Sequence, residues 1–355
     1  KKALENNFEV IILTKFSKYE KKIKSMGFKT QNINFDRKSV NPIKEFFCFI
    51  SFCKTVMIIK PDIIQSIALK PILYTSIISG ILCKKIKLIF CVVGLGYLFL
   101  NKKLVTRFFK FVFLTLLKLF ISKNNSIFIF QNKDDLSFFL ENKIVTTDKF
   151  KIIKGSGVDT LKFAKKNTKK IYDIILHSRL LVDKGIFELI DAIINLRKKK
   201  IFLKVLLLGK PDKKNRSSIS KDQILIWQSK KIIIWKGKVE NVIPYLNKSK
   251  ISILPSYREG LPKSLLEAAS CGLPIIATDV PGCREICKNN YNGILVAPKN
   301  PLSIANAISS IGRFEFLRKK STSFESGGFG VGKKGVVKSL YQLVLLYALY
   351  SSSQL

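Results

Sequence analysis

The sequence predicts an α/β protein made of two Rossmann-like blocks, and three observations carry that expectation. Short β-rich apolar runs alternate with longer helical patterns along most of the chain. Such alternation gives parallel sheets with helices on both faces. The rhythm runs through twice, either side of the polar stretch around Lys162–Lys170. A chain of 355 residues is also too long for one ordinary core and comfortable for two. The expected division is a block over residues 1–160, a block over 161–333, and a last helical segment over 334–355.

In the first block the strand-like runs are Phe8–Thr14, Ile63–Ser66, Ile86–Val92 and Ser126–Phe130. Each is too short for a stable helix and rich in β-branched or aromatic residues. Helical patterns fill the intervals at Lys18–Met26, Ile43–Lys60, Pro71–Cys83 and Lys103–Ser122. The chain opens as KKALENN, as though inside a helix that feeds the first of these strands. The expectation from this opening is a fragment that lacks its true beginning. In the second block the strands are Tyr172–His177, Leu203–Leu208, Ile232–Trp235, Ile251–Leu254, Pro274–Ala277 and Gly293–Val296. Helices fall at Phe187–Lys199, Val242–Asn247, Leu261–Ala269 and Leu302–Ile311. Glycine-rich SFESGGFGVGKKG (Ser323–Gly335) reads as a flexible connection, and the apolar run Val336–Tyr350 as a closing helix.

Charge is the compositional outlier. Against 24 acidic residues stand 63 Lys and Arg, a net charge of +39. The chain therefore attracts polyanions, and nucleic acid, anionic lipid and phosphorylated substrates all qualify. The plainer reading is compositional drift in a chain rich in Lys, Ile, Asn and Phe throughout. Seven cysteines form no C-x-x-C pair and mostly sit in apolar runs, which fits reduced, buried thiols in a cytosolic protein. His177 is the only histidine. A metal site built on His or Cys clusters and a Ser-His-Asp triad are thereby disfavoured. His177 itself is expected to be a satisfied core or loop residue closing a strand. No uncharged apolar run reaches 18 residues. The nearest, Leu104–Ser122, is striped by Lys103, Arg107, Lys110 and Lys118. It suits a helix lying on an anionic membrane, or a buried domain helix with snorkelling lysines.

In open α/β sheets ligands bind at the carboxyl ends of strands, so the loops there hold the candidate residues. After the first strand of the second block comes HSRLLVDKG, with Arg179 and Lys184 five apart and Gly185 behind them. Two cations at a strand–loop–helix mouth suit a diphosphate. After Leu254 comes SYREGLPKSLLEAASCGLPIIATD, in which Glu259 and Glu267 stand eight apart. A helix starting at Gly260–Lys263 would offer free N–H groups to an anion, with Gly260 allowing close approach. Glu259 could accept from sugar hydroxyls. Glu267, a little over two turns along, could share its cleft if Gly260–Lys263 were unwound. The bland alternatives are a capping acid and a solvated helix residue.

The run PSYREGLPKSLLEAASCGLPIIATDVPGCREI strongly resembles the signature of retaining glycosyltransferases of family 4, the GT-B class. LLLGKPD, WKGKVENVIPYLNKSKISILPSYREG and NGILVAP also match. The first block matches more loosely, through QSIALKPILYTSIISGILCKK, FCVVGLGYLFL, FIFQNKDD and IKGSGVD. These resemble a bacterial subgroup that builds capsule, O-antigen or other lipid-linked surface polysaccharide. The resemblance covers roughly Phe8 to Ile311.

The resemblance implies GT-B architecture: an acceptor-binding domain and a nucleotide-sugar-binding domain facing across a cleft, with the last helix crossing back. It implies transfer of a hexose or N-acetylhexosamine from a nucleotide sugar, UDP-linked by family habit, to a sugar or lipid-linked acceptor. Glu259 would contact the transferred sugar and Glu267 the ribose. Arg179 and Lys184 would hold the donor diphosphate, Gly260 and Leu261 would line the donor site, and Gly237–Val239 would meet the base through the backbone. The acceptor would bind near Gly94 and Gly96, where many relatives carry a histidine that this chain lacks. Configuration would be retained by same-face attack, with the donor phosphate taking the acceptor proton. Neither cofactor nor metal is expected, because Arg179, Lys184 and the helix start at Gly260 supply the positive charge. An acceptor on a polyprenyl diphosphate would bring the enzyme to the anionic cytoplasmic face of the inner membrane, through Lys103–Lys118 and Ile43–Lys60.

Three rival readings remain. A basic nucleic-acid-binding protein is favoured by charge alone, without a zinc, helix-turn-helix or RNP-type motif. A sugar-nucleotide epimerase or hydrolase on the same fold would need a His or paired acids, in which the loops are poor. A truncated, inactive GT-B fragment that binds nucleotide only is the third.

Overall fold

The computed structural model describes residues 2–16, 19–35, 41–81, 86–95, 104–121, 126–146, 148–155, 157–212, 215 and 217–311. The Ser323–Gly335 connection, the Val336–Tyr350 helix and Gly96 lie outside them. The described chain forms two compact units, one of residues 2–130 and 135–153, the other of residues 131–134 and 154–311. The expected division lay at residue 160, and the units part after Ile153.

The first unit runs α1 (Lys2–Glu5), β1 (Ile11–Thr14), α2 (Glu20–Lys24), β2 (Lys29–Asn32), α3 (Pro42–Ile59), β3 (Ile63–Ile67), α4 (Leu69–Ile81), β4 (Lys87–Val92), α5 (Leu104–Ile121), β5 (Ser126–Phe130), α6 (Lys133–Glu141) and β6 (Phe150–Ile152). Its strands form two parallel sheets, β1-β2 and β3-β4-β5-β6. Every residue of β5 is buried, as both faces of a central parallel strand require. On one face Phe90, Phe128, Phe130 and Phe139 pack edge-to-face and tilted, with Phe130 and Phe139 centroids 5.1 Å apart. Phe52, Val56, Ile72, Ile78 and Leu117 from α3, α4 and α5 complete that core. Helix α3 starts where Asn41 accepts from the Ile43 and Lys44 N–H groups and Pro42 occupies the first turn. It stops at Lys60 in the left-handed region.

The second unit runs β7 (Tyr172–His177), a 3-10 turn (Val182–Lys184), α7 (Ile186–Lys198), β8 (Val205–Leu208), α8 (Lys221–Ser229), β9 (Ile234–Trp235), α9 (Ile243–Asn247), β10 (Ser249–Leu254), α10 (Lys263–Ser270), β11 (Ile275–Thr278), α11 (Cys283–Ile286), β12 (Gly293–Val296) and α12 (Pro301–Ile311). One parallel sheet holds all six strands in the order β12-β11-β10-β7-β8-β9. Helices α7 and α12 cover one face with Leu189, Ile193, Ile304 and Ile308. Leu246, Ala268, Cys271 and Leu273 cover part of the other.

That order has a functional consequence. From β7 the chain winds outward through β8 and β9, then returns to the other side of β7 and winds away through β10, β11 and β12. The loops leaving β7 and β10 therefore diverge to opposite faces and leave a crevice between them at the carboxyl edge. This is the switch point at which open α/β sheets bind ligands.

Five elements escape the sequence pattern, the four-residue α11 among them. Strand β2 is the polar KTQN, paired with β1 through the backbone, with Lys29 bonded to Glu9 and Asn32 accepting from the Phe16 N–H at its two ends. Strand β6 has only three residues. Helices α6 and α8 have apolar stripes too narrow to read, α8 burying only Ile224 and Trp227 beneath a Ser220 cap.

Candidate active site at the carboxyl ends of β7 and β10

Both loops at the switch point carry expected site residues, and the fold brings several together. Lys184, at the end of the 3-10 turn after β7, reaches across to Glu259 in the loop after β10. Its Nζ lies 2.5 Å from Glu259 Oε1, with the two side chains only 15% and 13% exposed. Ser256 Oγ donates to the same oxygen at 2.6 Å. Ser256 is itself fully buried, and its carbonyl accepts from Thr278 Oγ1. The Glu259 carboxylate is thus anchored through Oε1 by a cation and a hydroxyl. It is neither a solvated side chain nor a helix cap, since α10 has no side-chain cap.

The two loops are locked by further bonds. Tyr257 N–H donates to the Asp183 carbonyl at 2.9 Å, and Tyr257 OH donates to Glu188 Oε1 at 2.6 Å. Burial, and then Glu188, push the Tyr257 phenol up from its ordinary value, so it stays a donor and serves as a brace. Ser217 Oγ donates to Asp183 Oδ1 at 2.8 Å.

Glycine permits the closest approaches. A Cβ on Gly185 would lie 1.9 Å from the Pro255 carbonyl oxygen. One on Gly282 would lie 2.3 Å from the Gly260 carbonyl oxygen and 2.8 Å from that of Glu259. Both glycines have positive φ, so shape and conformation demand the same residue. Gly237 differs: φ is +68°, yet nothing lies within 4 Å of its absent Cβ. Its carbonyl accepts from Gly209 N–H at 2.7 Å, and Val239 is partly buried nearby against the Leu206–Leu246 cluster.

Gly260–Pro262 is not helical, and α10 begins at Lys263. Glu267 therefore stands one turn into its helix, not two. Its Oε1 lies 3.6 Å from the exposed Lys263 Nζ, and its Oε2 lies 3.2 Å from His177 Nε2. His177 does close β7, as expected, but it is not a satisfied residue: Nδ1 is buried without a partner among the described residues. The signal that could have raised its rank was position, the last residue of a strand at the switch point. Gly260 accepts from Asn132 Nδ2 at 2.9 Å, and Leu261 packs on Gly155.

Arg179 is not drawn in. Its side chain is 64% exposed and, among the described residues, makes only a long contact, 3.4 Å, to Asp212. In the first unit Gly94 follows β4 with φ +123°. Among the described residues no three His, Cys, Asp or Glu side chains converge as metal ligands.

At the switch point two carboxylates are each anchored through one oxygen, Glu259 by Lys184 and Ser256 and Glu267 by His177. Residues 158–322 match the sequence signature of "Glycosyl transferases group 1". The chain carries a glycosyl transferases group 1 domain. The match covers β7 through α12 of the second unit, with Arg179, Lys184, Glu259 and Glu267 inside it. A Campylobacter jejuni N,N'-diacetylbacillosaminyl-diphospho-undecaprenol alpha-1,3-N-acetylgalactosaminyltransferase is 29% identical across 87% of this chain and 83% of its own length. An Escherichia coli UDP-Gal:alpha-D-GlcNAc-diphosphoundecaprenol alpha-1,3-galactosyltransferase is 31% identical over 30% of this chain and 28% of its own. Among solved structures, Anabaena HepE in complex with UDP superposes with a TM-score of 0.69 over 98% of this chain and all of its own, at 14% identity. Sucrose-phosphate synthase from Thermosynechococcus elongatus reaches 0.73 over 99% and 91%, at 16% identity. The fold is that of GT-B glycosyltransferases, as the signature implied.

Proposed function

We propose that this glycosyltransferase moves a hexose or N-acetylhexosamine from a UDP-sugar to a lipid-linked sugar acceptor during assembly of a surface polysaccharide. The observation that carries the reading is the pair of anchored carboxylates at the switch point. Glu259 is held through Oε1 by Lys184 and Ser256, and Glu267 through Oε2 by His177, so each keeps one oxygen for a hydroxyl. Glu259 serves the transferred sugar and Glu267 the ribose. Lys184 and Arg179 take the diphosphate, Arg179 leaving its weak contact with Asp212 to do so. The uncapped N–H groups at the start of α10, beside Gly260 and Leu261, add positive potential. The open side of Gly237 and the backbone to Val239 receive the base.

Catalysis then rests on stabilising charge as the UDP departs. Attack comes from the leaving-group face, the donor phosphate takes the acceptor proton, and configuration is retained without a metal or other cofactor. The acceptor binds the first unit at the loop of Gly94 and Gly96. The two undecaprenol-specific relatives support the acceptor class.

An acceptor of that kind places the enzyme on the cytoplasmic leaflet as a peripheral protein. No described helix is long and apolar enough to cross a membrane. Helix α5 buries Phe113, Leu117 and Ile121 in the core and exposes Phe108, Phe111 and Leu119 beside Arg107 and Lys118. Helix α3 exposes Ile43, Phe46, Phe47 and Ile58 beside Lys44 and Lys54. Apolar side chains flanked by lysines fit an anionic lipid surface.

The test is calorimetric titration with UDP, GDP and UDP-sugars, followed by turnover on an undecaprenyl-diphosphate-linked acceptor with and without EDTA. Tight UDP binding lost in Glu267→Ala and EDTA-resistant transfer with a retained anomer support the reading. GDP preference or an inverted product overturns the corresponding part. Flotation with vesicles of phosphatidylglycerol and phosphatidylethanolamine tests the membrane face, and failure to float removes it.

A further inference from the structure

The only histidine of the chain sits where a nucleotide-binding carboxylate needs support. His177 ends β7 opposite Leu208 of β8, and its Nε2 lies 3.2 Å from Glu267 Oε2. The imidazole is 10% exposed and the carboxylate 13%. An ionised carboxylate only accepts, so the proton between them sits on Nε2. Nδ1 is buried and makes no bond among the described residues. Buried polar atoms are paired in the great majority of cases. A side chain that leaves one nitrogen empty while spending the other on a carboxylate is not there to complete the core.

The groups around Glu267 sharpen the point. Among the described residues its Oε1 meets only the Nζ of Lys263, at 3.6 Å and 64% exposed, a contact that solvent screens. Cys271 lies close enough that Glu267 adds to burial in pushing its thiol up, to about 12, so it stays protonated and supplies no charge. The terminal torsion of a glutamate is broad and roughly two-fold, so a carboxylate with only an exposed lysine beside it samples many orientations.

We propose that His177 is a positioning residue for the donor site: by donating Nε2–H to Oε2 it fixes the rotation of the Glu267 carboxylate and presents Oε1 to a hydroxyl of the bound nucleotide. This rests on the reading of Glu267 as a donor-binding residue. Hydrogen bonds to charged groups are worth enough that losing this one weakens UDP binding on the order of ten-fold.

A single histidine makes the test direct, because a long-range ¹H–¹⁵N spectrum of the labelled protein contains one imidazole. In the wild type its Nε2 should carry the proton, and Glu267→Gln should move both ring nitrogen signals. An imidazole unmoved by Glu267→Gln means the contact is absent, and the proposal falls. UDP titrations then compare His177→Phe, which keeps a ring without a donor, with His177→Gln, which returns an N–H near the Nε2 position. The expected result is on the order of ten-fold weaker binding for His177→Phe and recovery of most of it by His177→Gln, with melting points close to wild type without ligand. Equal loss in both variants, or no loss in His177→Phe while Glu267→Ala loses binding, overturns the positioning role and leaves the donor-site reading standing. Wild-type affinity in Glu267→Ala overturns the donor-site reading itself, and the positioning role with it.

Discussion

The two units spend their polar residues differently. In the second unit one continuous six-stranded sheet supports loops whose buried polar groups interlock: Lys184 with Glu259, Ser256 with Glu259 and Thr278, Tyr257 with Glu188 and Asp183. In the first unit the strands fall into two sheets, and the core is a stack of phenylalanines under helices that also expose phenylalanine to solvent. One prominent polar cluster there, Glu45 with Lys70 and Tyr74, ties α3 to α4 and sits among packing residues. The contrast teaches where specificity is written. Binding small charged groups demands particular side chains at particular distances, whereas a core asks only for shape and apolarity.

Breaking the interlocked loops should have the largest effect. Lys184→Ala leaves the mostly buried Glu259 without its cation. It should cost the second unit about 3 kcal/mol and lower transfer at least about a hundred-fold. Arg179→Ala, at an exposed position with one long contact, should change stability by no more than about 0.5 kcal/mol while still weakening UDP binding. Unfolding curves and initial rates on the two variants measure the difference. A Lys184→Ala protein as stable as Arg179→Ala would show that the pair is not holding the loops together.

A smaller effect separates two kinds of glycine within the second unit. Gly282→Ala forces a methyl against two backbone carbonyls and should cost about 3 kcal/mol. Gly237→Ala meets no neighbour and carries only the left-handed penalty, about 1 kcal/mol. Urea denaturation midpoints distinguish them, and a reversed order would break the account of the Glu259–Gly260 loop.

The smallest effect compares thiols. Burial pushes Cys91 of the first unit up to about 11, and Cys271 and Cys287 of the second up to about 12, from an ordinary 9. The folded state therefore holds these protons where the unfolded chain has lost them. Their contribution is fully present below pH 9 and is lost as pH rises through 11 and 12. The melting point should fall from pH 9 upward, and a Cys271→Ala, Cys287→Ala variant should fall less steeply. At pH 8 an alkylating reagent should reach Cys48, which is only half-buried, well before Cys283 or Cys287.

Much of the second unit was legible because its strands and its chemistry leave marks in the sequence. Tyr172–His177 and Gly293–Val296 are observed with the expected ends. Lys184, Glu259, Gly260 and Glu267 stand out through the family-like run around them, since their spacing alone carries little weight. What spacing could not give was partnership. Glu267 looked two turns into a helix because the non-helical Gly260–Pro262 cannot be told from a first turn by composition. Tyr257, Asp183 and Glu188 act through contacts between residues tens of positions apart, which no local pattern encodes, and Ser256 reaches Glu259 only through the shape of the loop between them. His177 was set aside because a single histidine inside an apolar run reads as packing, and only its neighbour across the sheet edge gives it a role. In the first unit KTQN left no strand signal, since its backbone pairs while its side chains stay wet.

Gly185 and Gly282 each admit a carbonyl from the loop after β10 where a side chain would stand, and Gly209 does the same for the Ser178 carbonyl after β7. The loops they bring together are consequently one packed piece. Exchanging residues 255–262 alone for those of another transferase would seat foreign carbonyls against these glycines. Recombination aimed at new donor preference must move 178–185, 209, 255–262 and 279–283 as a single cassette.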